Sequence, residues 1–281
     1  MSLGDEQTRP RGWPDSYDGD AQPRMGFFTD TSLCIGCKAC EVACKEWNQL
    51  PTDDFGFKAQ SYDNTGRLSS DTWRHVAFIE QERPVPAKPA DEDGMRWLMS
   101  SDVCKHCTTA PCLDVCPTGA LFRTEFGTVV VQDDVCNGCG MCVPACPFGV
   151  IERREEDGRA WKCTLCYDRL KDGMEPACAK ACPTDSIMFG PLDELREHAG
   201  ERILDVIAAG EPDAQLYLHD DDNGMDGAGA FFLLLDEPEV YGLPPDPVAP
   251  TRHLGEVYGA VASAAAGIAL GVAAAFVRGR R

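Results

Sequence analysis

Sixteen cysteines stand in this 281-residue chain in four groups of four: Cys34, Cys37, Cys40 and Cys44; Cys104, Cys107, Cys112 and Cys116; Cys136, Cys139, Cys142 and Cys146; Cys163, Cys166, Cys178 and Cys182. Any fold must give these thiols an occupation, as disulfides, as zinc ligands or as ligands of iron–sulfur clusters. Spacing separates the three. The third group, CNGCGMCVPACP at 136–147, is a complete C-x2-C-x2-C-x3-C-P run, the pattern of bacterial 4Fe-4S ferredoxins, in which the fourth cysteine serves the neighbouring cluster. Three cysteines three residues apart let one loop offer three thiolates to a cube, and the small Gly138 and Gly140 let backbone N–H groups approach the sulfurs. The fourth cysteine is expected to begin a helix facing away from that cube, and the proline after it to turn the chain. One such run cannot complete a site, so it needs a second.

The second group, CKHCTTAPCLDVCP at 104–117, supplies that partner with two more residues in its loop. The first, CIGCKACEVAC, keeps the spacing but carries Lys45 where the others have proline, and the fourth widens its middle spacing to eleven residues before Cys178-x3-Cys182-Pro. CPTGAL, CPFGVI and CPTDSI follow Cys116, Cys146 and Cys182 as a short internal repeat that marks each return from cluster loop to sheet. The pattern pairs the second group with the third and the first with the fourth. Disulfides are disfavoured, because bridged domains are usually small and exported and cysteines at i, i+3 and i+6 are badly placed to pair among themselves. Zinc needs a closed tetrahedral quartet and keeps a place only at the fourth group, whose C-x2-C and C-x3-C halves resemble a zinc ribbon.

The remainder of the chain bounds the setting. A net charge of −20 argues against a nucleic-acid or anionic-membrane surface and in favour of protein partners. Residues 1–24 are polar, lack the apolar core of a signal peptide and read as a disordered arm. Residues 257–277 carry no charge, and 21 residues at about 1.5 Å each reach roughly 31 Å, close to the hydrocarbon thickness of a bilayer. Nine alanines keep that stretch only weakly hydrophobic, so a buried helix is the alternative to a membrane span. Gly259, Ser263, Gly267, Gly271 and Ala275 form a stripe of small residues that would let another helix approach. Arg278, Arg280 and Arg281 follow, and under the positive-inside tendency they stay cytoplasmic, with the large domain opposite.

Between the cysteines, 72–81 reads as a strand, as do stretches near 214 and 228, and 121–131 as a hairpin turning at Gly127. Residues 191–210 read as a helix burying Leu195, Ala199, Ile203, Val206 and Ile207 and ending at Gly210. GLPPDPVAP at 242–250 reads as a stiff linker. DGAGAFF stops short of a dinucleotide fingerprint, and the Asp220–Asp222 run lacks the alternating ligands of a calcium loop. His106 is expected to lie exposed beside its cluster, with tuning of that cluster the alternative. His253, just ahead of the apolar stretch, could be taken for a haem ligand, but the reading without a role is favoured. Lys38, Lys45, Lys105 and Lys162 adjoin cysteines, and their charge can raise local potentials.

With all four groups in view, the chain resembles the four-cluster electron-transfer subunits of molybdenum or tungsten bis-pterin oxidoreductases, and within them the iron–sulfur (beta) subunits of membrane-bound formate dehydrogenase of the N type. The resemblance runs from about Gly26 to Arg281 on FTDTSLCIGCKACEVACKEWN, the 59-residue interval between Cys44 and Cys104, WKCTLCYDRLKDGMEPACAKACPT, EVYGLPPDP and the terminal apolar segment. It implies an α+β chain of two interleaved ferredoxin-like dicluster domains plus one C-terminal transmembrane helix. The first half would take residues 25–103 and 147–210, and the second 104–146. Residues 211–250 would form C-terminal strands and linker, and 251–281 the anchor and basic tail. The resemblance also implies four 4Fe-4S clusters: Cys34, Cys37 and Cys40 with Cys182; Cys163, Cys166 and Cys178 with Cys44; Cys104, Cys107 and Cys112 with Cys146; Cys136, Cys139 and Cys142 with Cys116. Such a subunit relays electrons from a bis-pterin catalytic subunit to a membrane cytochrome b and quinone, is exported folded on its catalytic partner's twin-arginine signal, and has no catalytic residue or small-molecule substrate of its own. A subunit of a sulfur-compound reductase or hydrogenase, with flow reversed or a different donor, would keep every one of these ligands.

Overall fold

The computed structural model describes residues 23–52, 56, 62–82 and 95–278. Residues 1–22 of the arm expected over 1–24, and the basic residues Arg280 and Arg281, lie outside them.

The centre is a four-stranded sheet in the order β8-β1-β10-β9, built from β1 (Met25–Asp30), β8 (Ile187–Pro191), β9 (Gln215–Tyr217) and β10 (Ala230–Leu234). β1 runs parallel to β10, with Phe28 opposite Phe231, and antiparallel to β8. All five residues of β10 are buried, as expected of a strand covered on both faces. Alternation along β1 divides the molecule into two cores. Phe27 joins the cysteine-rich core with Cys40, Cys44, Val76, Cys104 and Cys163. Phe28 faces the other way and stacks on Phe231 at 5.2 Å, within a core closed by α6 (Leu192–Ala208).

Helix α6 lays Leu192, Leu195, Ala199 and Val206 onto the sheet, with Ile203 half-buried beside them. Ile207 does not join them and is 42% exposed. Eight residues on from Ala199 is roughly 80° round the helix, off the packed stripe. Strands β2 (Arg74–Glu82) and β3 (Met95–Val103) pair antiparallel from Arg74 opposite Val103 to Glu82 opposite Met95. β3 delivers the chain directly into Cys104. The hairpin expected over 121–131 forms as β4 (Leu121–Arg123) and β5 (Val129–Val131), with Gly127 at φ 74° in its turn. A second short hairpin joins β6 (Glu152–Arg153) to β7 (Ala160–Trp161).

Three expectations are corrected. Short helices α1 (Ala39–Asn48), α2 (Pro111–Asp114), α3 (Cys142–Ala145) and α5 (Ala177–Lys180) take the third cysteine of each group into their first turns, and α4 (Tyr167–Lys171) lies in the widened middle of the fourth group. The fourth cysteine comes four residues later, within or just beyond the helix, rather than beginning one. Residues i and i+4 lie one helical turn apart, so C-x3-C is itself a helical spacing. The 242–250 segment is no free spacer, because Leu243 and Ala249 are buried and the Tyr217 hydroxyl donates to the Pro244 carbonyl. Arg24, expected to belong to the arm, is docked: its guanidinium donates to Thr108 Oγ1 and the His106 carbonyl, and its own carbonyl accepts from the Leu192 N–H.

Helix α7 (Leu254–Arg278) contains a 23-residue stretch, Leu254–Phe276, long and apolar enough to cross a membrane, with a mean hydropathy of 1.9 over an 18-residue window, and none of it is buried. No other atom lies within 4 Å of a side chain built at Gly259, Gly267 or Gly271, so the small-residue stripe stands unpartnered among the described residues.

Because Phe231 is fully buried and stacked at the centre of the sheet, Phe231→Ala is expected to cost about 3–5 kcal/mol and to lower the midpoint of thermal unfolding followed by circular dichroism.

Candidate iron–sulfur site

Each group opens on the same backbone turn. The residue just before the second cysteine has positive φ in all four: Gly36 at 64°, His106 at 46°, Gly138 at 72° and Leu165 at 56°. His106 and Leu165 accept a conformation that glycine adopts freely, which costs of order 1–3 kcal/mol and persists only where the surroundings impose it. The turn brings the first two thiols of each group to one side and turns successive N–H groups inward, an anion-favouring arrangement. The Leu165 N–H donates to Cys163 Sγ at 3.3 Å, and the Ala160 N–H to Cys136 Sγ at 3.5 Å.

Cysteines from different groups then converge. Cys34, Cys37, Cys40 and Cys182 line one hollow, walled by Val76, Ser101 and Ile187. Cys104, Cys107, Cys112 and Cys146 line another with Lys105, His106 and Lys162. Cys44 lies within the electrostatic reach of Cys163, Cys178 and Cys166, and Cys142 within that of Cys136, Cys116 and Cys139. All sixteen thiols are free. The four cysteines of the fourth group are split between two of these gatherings, which removes the zinc-ribbon reading. Among the described residues no three His, Cys, Asp or Glu side chains approach closely enough to hold a single ion. A tetrahedral zinc needs every sulfur about 2.3 Å from one point. Four thiols from two groups around one hollow, an all-thiol donor set, suit iron–sulfur chemistry.

Electrostatics point the same way. Burial pushes the Cys112 thiol up to about 12 despite the lowering effect of Lys162. Burial likewise takes Cys40, Cys142 and Cys166 to about 11, and Cys44, Cys107 and Cys163 are raised by burial and then by neighbouring sulfurs. Cys116 is the exception: burial raises it too, but backbone N–H groups of Leu121, Thr118 and Ala120 and the Thr118 hydroxyl carry it below the ordinary thiol value. Thiolates in such a core need positive charge beside them, which bound metal supplies.

Two buried cations lack a carboxylate among the described residues. Lys162, 2% exposed, donates from Nζ to the Val129 and Cys163 carbonyls. Desolvation lowers its pKa, but Cys104, Cys112 and Cys163 more than compensate. Arg74 is the second, at 1% exposure. A buried charge without a partner costs several kcal/mol, so these cations call for an anionic occupant. The other flanking lysines are neutralised or turned elsewhere: Lys38 by Glu41 and Asp63 at 3.2 Å, Lys105 by Asp102, and Lys45 onto the Asp71 and Pro51 carbonyls.

His106 is corrected from exposed to buried, at 1%. Its Nδ1 accepts from the Val129 N–H at 3.1 Å, and burial together with Lys162 and Arg123 holds it well below the usual histidine pKa, as neutral imidazole. His253 stands exposed at the start of α7, 3.4 Å from Glu256. The Asp220–Asp222 turn is exposed, with Asp221 paired to Arg196. Sequence reasoning missed Arg74 and Ser101. The one signal was parity, since Arg74 shares with Val76 the inward face of its strand.

Hollows lined by thiols of interleaved groups, beside buried cations without carboxylate partners, define a ferredoxin-like iron–sulfur protein of the dicluster class. Residues 33–120 and residues 95–192 each match a family described as 4Fe-4S dicluster domain. The sequence is 40% identical over 232 residues to the formate dehydrogenase iron–sulfur subunit of Haemophilus influenzae, covering 81% of this protein and 71% of that one. It is 40% identical over 238 residues to the iron–sulfur subunit of the nitrate-inducible formate dehydrogenase of Escherichia coli, covering 83% and 77%. It is also 38% identical over 181 residues to the B subunit of the anaerobic dimethyl sulfoxide reductase of Escherichia coli, covering 63% and 78%. The chain belongs to the family of formate dehydrogenase iron–sulfur electron-transfer subunits. Its sixteen cysteines are consistent with four 4Fe-4S clusters.

Gly138 sits at φ 72°, and a Cβ there would fall 2.5 Å from the Gly158 carbonyl oxygen. Gly138→Ala is therefore expected to lose iron and acid-labile sulfide equivalent to one cluster while the remainder stays bound, measured by chemical analysis of anaerobically purified protein.

Proposed function

We propose that the chain holds four 4Fe-4S clusters and carries electrons from a molybdenum or tungsten bis-pterin formate dehydrogenase subunit to a membrane cytochrome b and quinone. The ligand sets are Cys34, Cys37, Cys40 and Cys182; Cys44, Cys163, Cys166 and Cys178; Cys104, Cys107, Cys112 and Cys146; and Cys116, Cys136, Cys139 and Cys142. The reading is supported by Cys182 and Cys146, which line hollows with the first three cysteines of another group, and by Cys44 and Cys116, which interact electrostatically with those of another. Bound clusters of this kind take up and give back single electrons. The protein's own contribution is to hold sixteen thiolates, to exclude water from the buried ones and to set fixed charges and N–H donors beside them. No side chain is required as acid, base or nucleophile.

The orientation follows from α7. Thr251, 4% exposed, donates to Asp114 Oδ2 at 2.6 Å, and Asp114 lies in α2 between Cys112 and Cys116. The base of the helix is thus tied to the loop of the second group, which supports the second and third groups as the membrane side. The first and fourth groups are then nearer the catalytic subunit, and Cys37 is exposed there. Arg278, Arg280 and Arg281 favour a cytoplasmic C-terminus, with the cluster-bearing halves on the other face. Those halves comprise 25–103 with 147–210, and 104–146.

A second reading, an electron-entry subunit of a sulfur-compound reductase, draws on the likeness to the B subunit of a dimethyl sulfoxide reductase. Purification with the native partners separates the two. In the first case formate bleaches the brown chromophore of the complex and reduces quinone. Ending the chain after His253 should leave formate oxidation by a dye acceptor intact while abolishing quinone reduction. Formate turnover by the isolated chain would contradict the proposal, and a complex that reduces a sulfoxide but ignores formate would favour the second reading.

A further inference from the structure

Arg74 opens β2 with its side chain turned into the cysteine-rich core, and among the described residues no carboxylate pairs with it. Its partners are sulfur, hydroxyl, carbonyl and an aromatic face. Nη2 donates to Cys178 Sγ at 3.4 Å. Nη1 donates to the Ser101 carbonyl at 3.2 Å and to Ser101 Oγ at 3.3 Å. Ser101 Oγ in turn lies 3.3 Å from Cys40 Sγ. With its oxygen accepting from Arg74, the Ser101 hydroxyl has its own hydrogen to give to Cys40. The guanidinium carbon stands 4.7 Å from the centre of the Phe27 ring, a contact that fixes the plane of the group.

The two sulfurs at the ends of this bridge belong to different ligand sets, Cys40 with Cys34, Cys37 and Cys182, and Cys178 with Cys44, Cys163 and Cys166. An arginine keeps its charge inside a protein, so a fixed cation stands between these two sets, in contact with Cys178 directly and with Cys40 through Ser101.

We propose that Arg74, acting with Ser101, is a redox-setting bridge that raises the reduction potentials of these two neighbouring cluster sites together and leaves the other two untouched. This rests on the four-cluster reading above. Reduction adds one negative charge to a site, and a fixed cation in a dry core favours that added charge, whereas a neutral residue does not. Arg74 is a positioning and tuning residue. It holds sulfur donors in place and needs no bond to iron.

The test is a reductive titration, followed by electron paramagnetic resonance, of the full chain purified anaerobically with its clusters. Iron and acid-labile sulfide are counted on the same samples. Arg74→Met is expected to lower two of the four potentials by at least a tenfold shift in the one-electron equilibrium, about 59 mV, and to leave the other two unchanged. Arg74→Lys keeps the charge and should hold both potentials nearer to those of the parent. Ser101→Ala should lower only the site containing Cys40, and by less than Arg74→Met. The proposal is overturned by four unchanged potentials, by four that move together, or by a lysine variant that falls as far as the methionine one. Should Arg74→Met fail to keep its clusters, Ser101→Ala decides: no shift in any potential overturns the bridge. An unmodified chain with fewer than four clusters' worth of iron and sulfide would instead refute the reading beneath it.

Discussion

Sulfur anions are tolerated in a dry core only opposite positive charge, and this requirement shapes the whole molecule. Burial raises most of the thiols that the sheet and hairpins enclose, and each added neighbour raises them further. Bound metal and a few fixed cations are the means of reversing that balance. The hydrophobic framework around them is arranged accordingly: Phe27, Val76, Leu165 and Ile187 wall the sulfurs from water, while Phe28, Phe231 and α6 form a separate core that does not depend on them. One strand, β1, contributes to both through the alternation of its side chains.

Two local devices repeat through the chain. A left-handed residue before the second cysteine turns each loop inward, and a helical turn separates the third cysteine from the fourth. The first device gathers thiols within a group. The second hands one thiol across to another group. Interleaving therefore arises from backbone geometry that four residues of spacing already encode. It ties residues 34–44 to 163–182 and 104–116 to 136–146, so that distant parts of the chain share a core.

What is legible in the sequence follows from the range of the interactions. The cysteine groups, the hairpin at Gly127 and helix α6 are set by short spacings and periodicities, and they can be read directly, whereas the joining of each fourth cysteine to another group is what the family resemblance implies. The terminal apolar helix can be read as a length and a composition. Arg74, Ser101 and the burial of His106 cannot, since each is defined by strands that meet only after folding. Apolarity alone assigns Ile207 to the packed face of its helix, and the angle around that helix takes it off. Prolines in 242–250 signal stiffness and give no hint that Leu243 and Ala249 are buried. Arg24 reads as the end of a polar arm, although its side chain reaches the loop of the second group.

The central claim is that each set of four sulfurs crosses between groups, and paired substitutions test it most directly through iron and acid-labile sulfide content. Cys182→Ser combined with Cys37→Ser should remove no more than either change alone, since both strike one set. Cys182→Ser combined with Cys166→Ser should remove twice as much, although those two cysteines belong to the same stretch of sequence. If instead Cys182 and Cys166 fail together as a single loss while Cys182 and Cys37 add, the crossing is wrong and the groups close upon themselves.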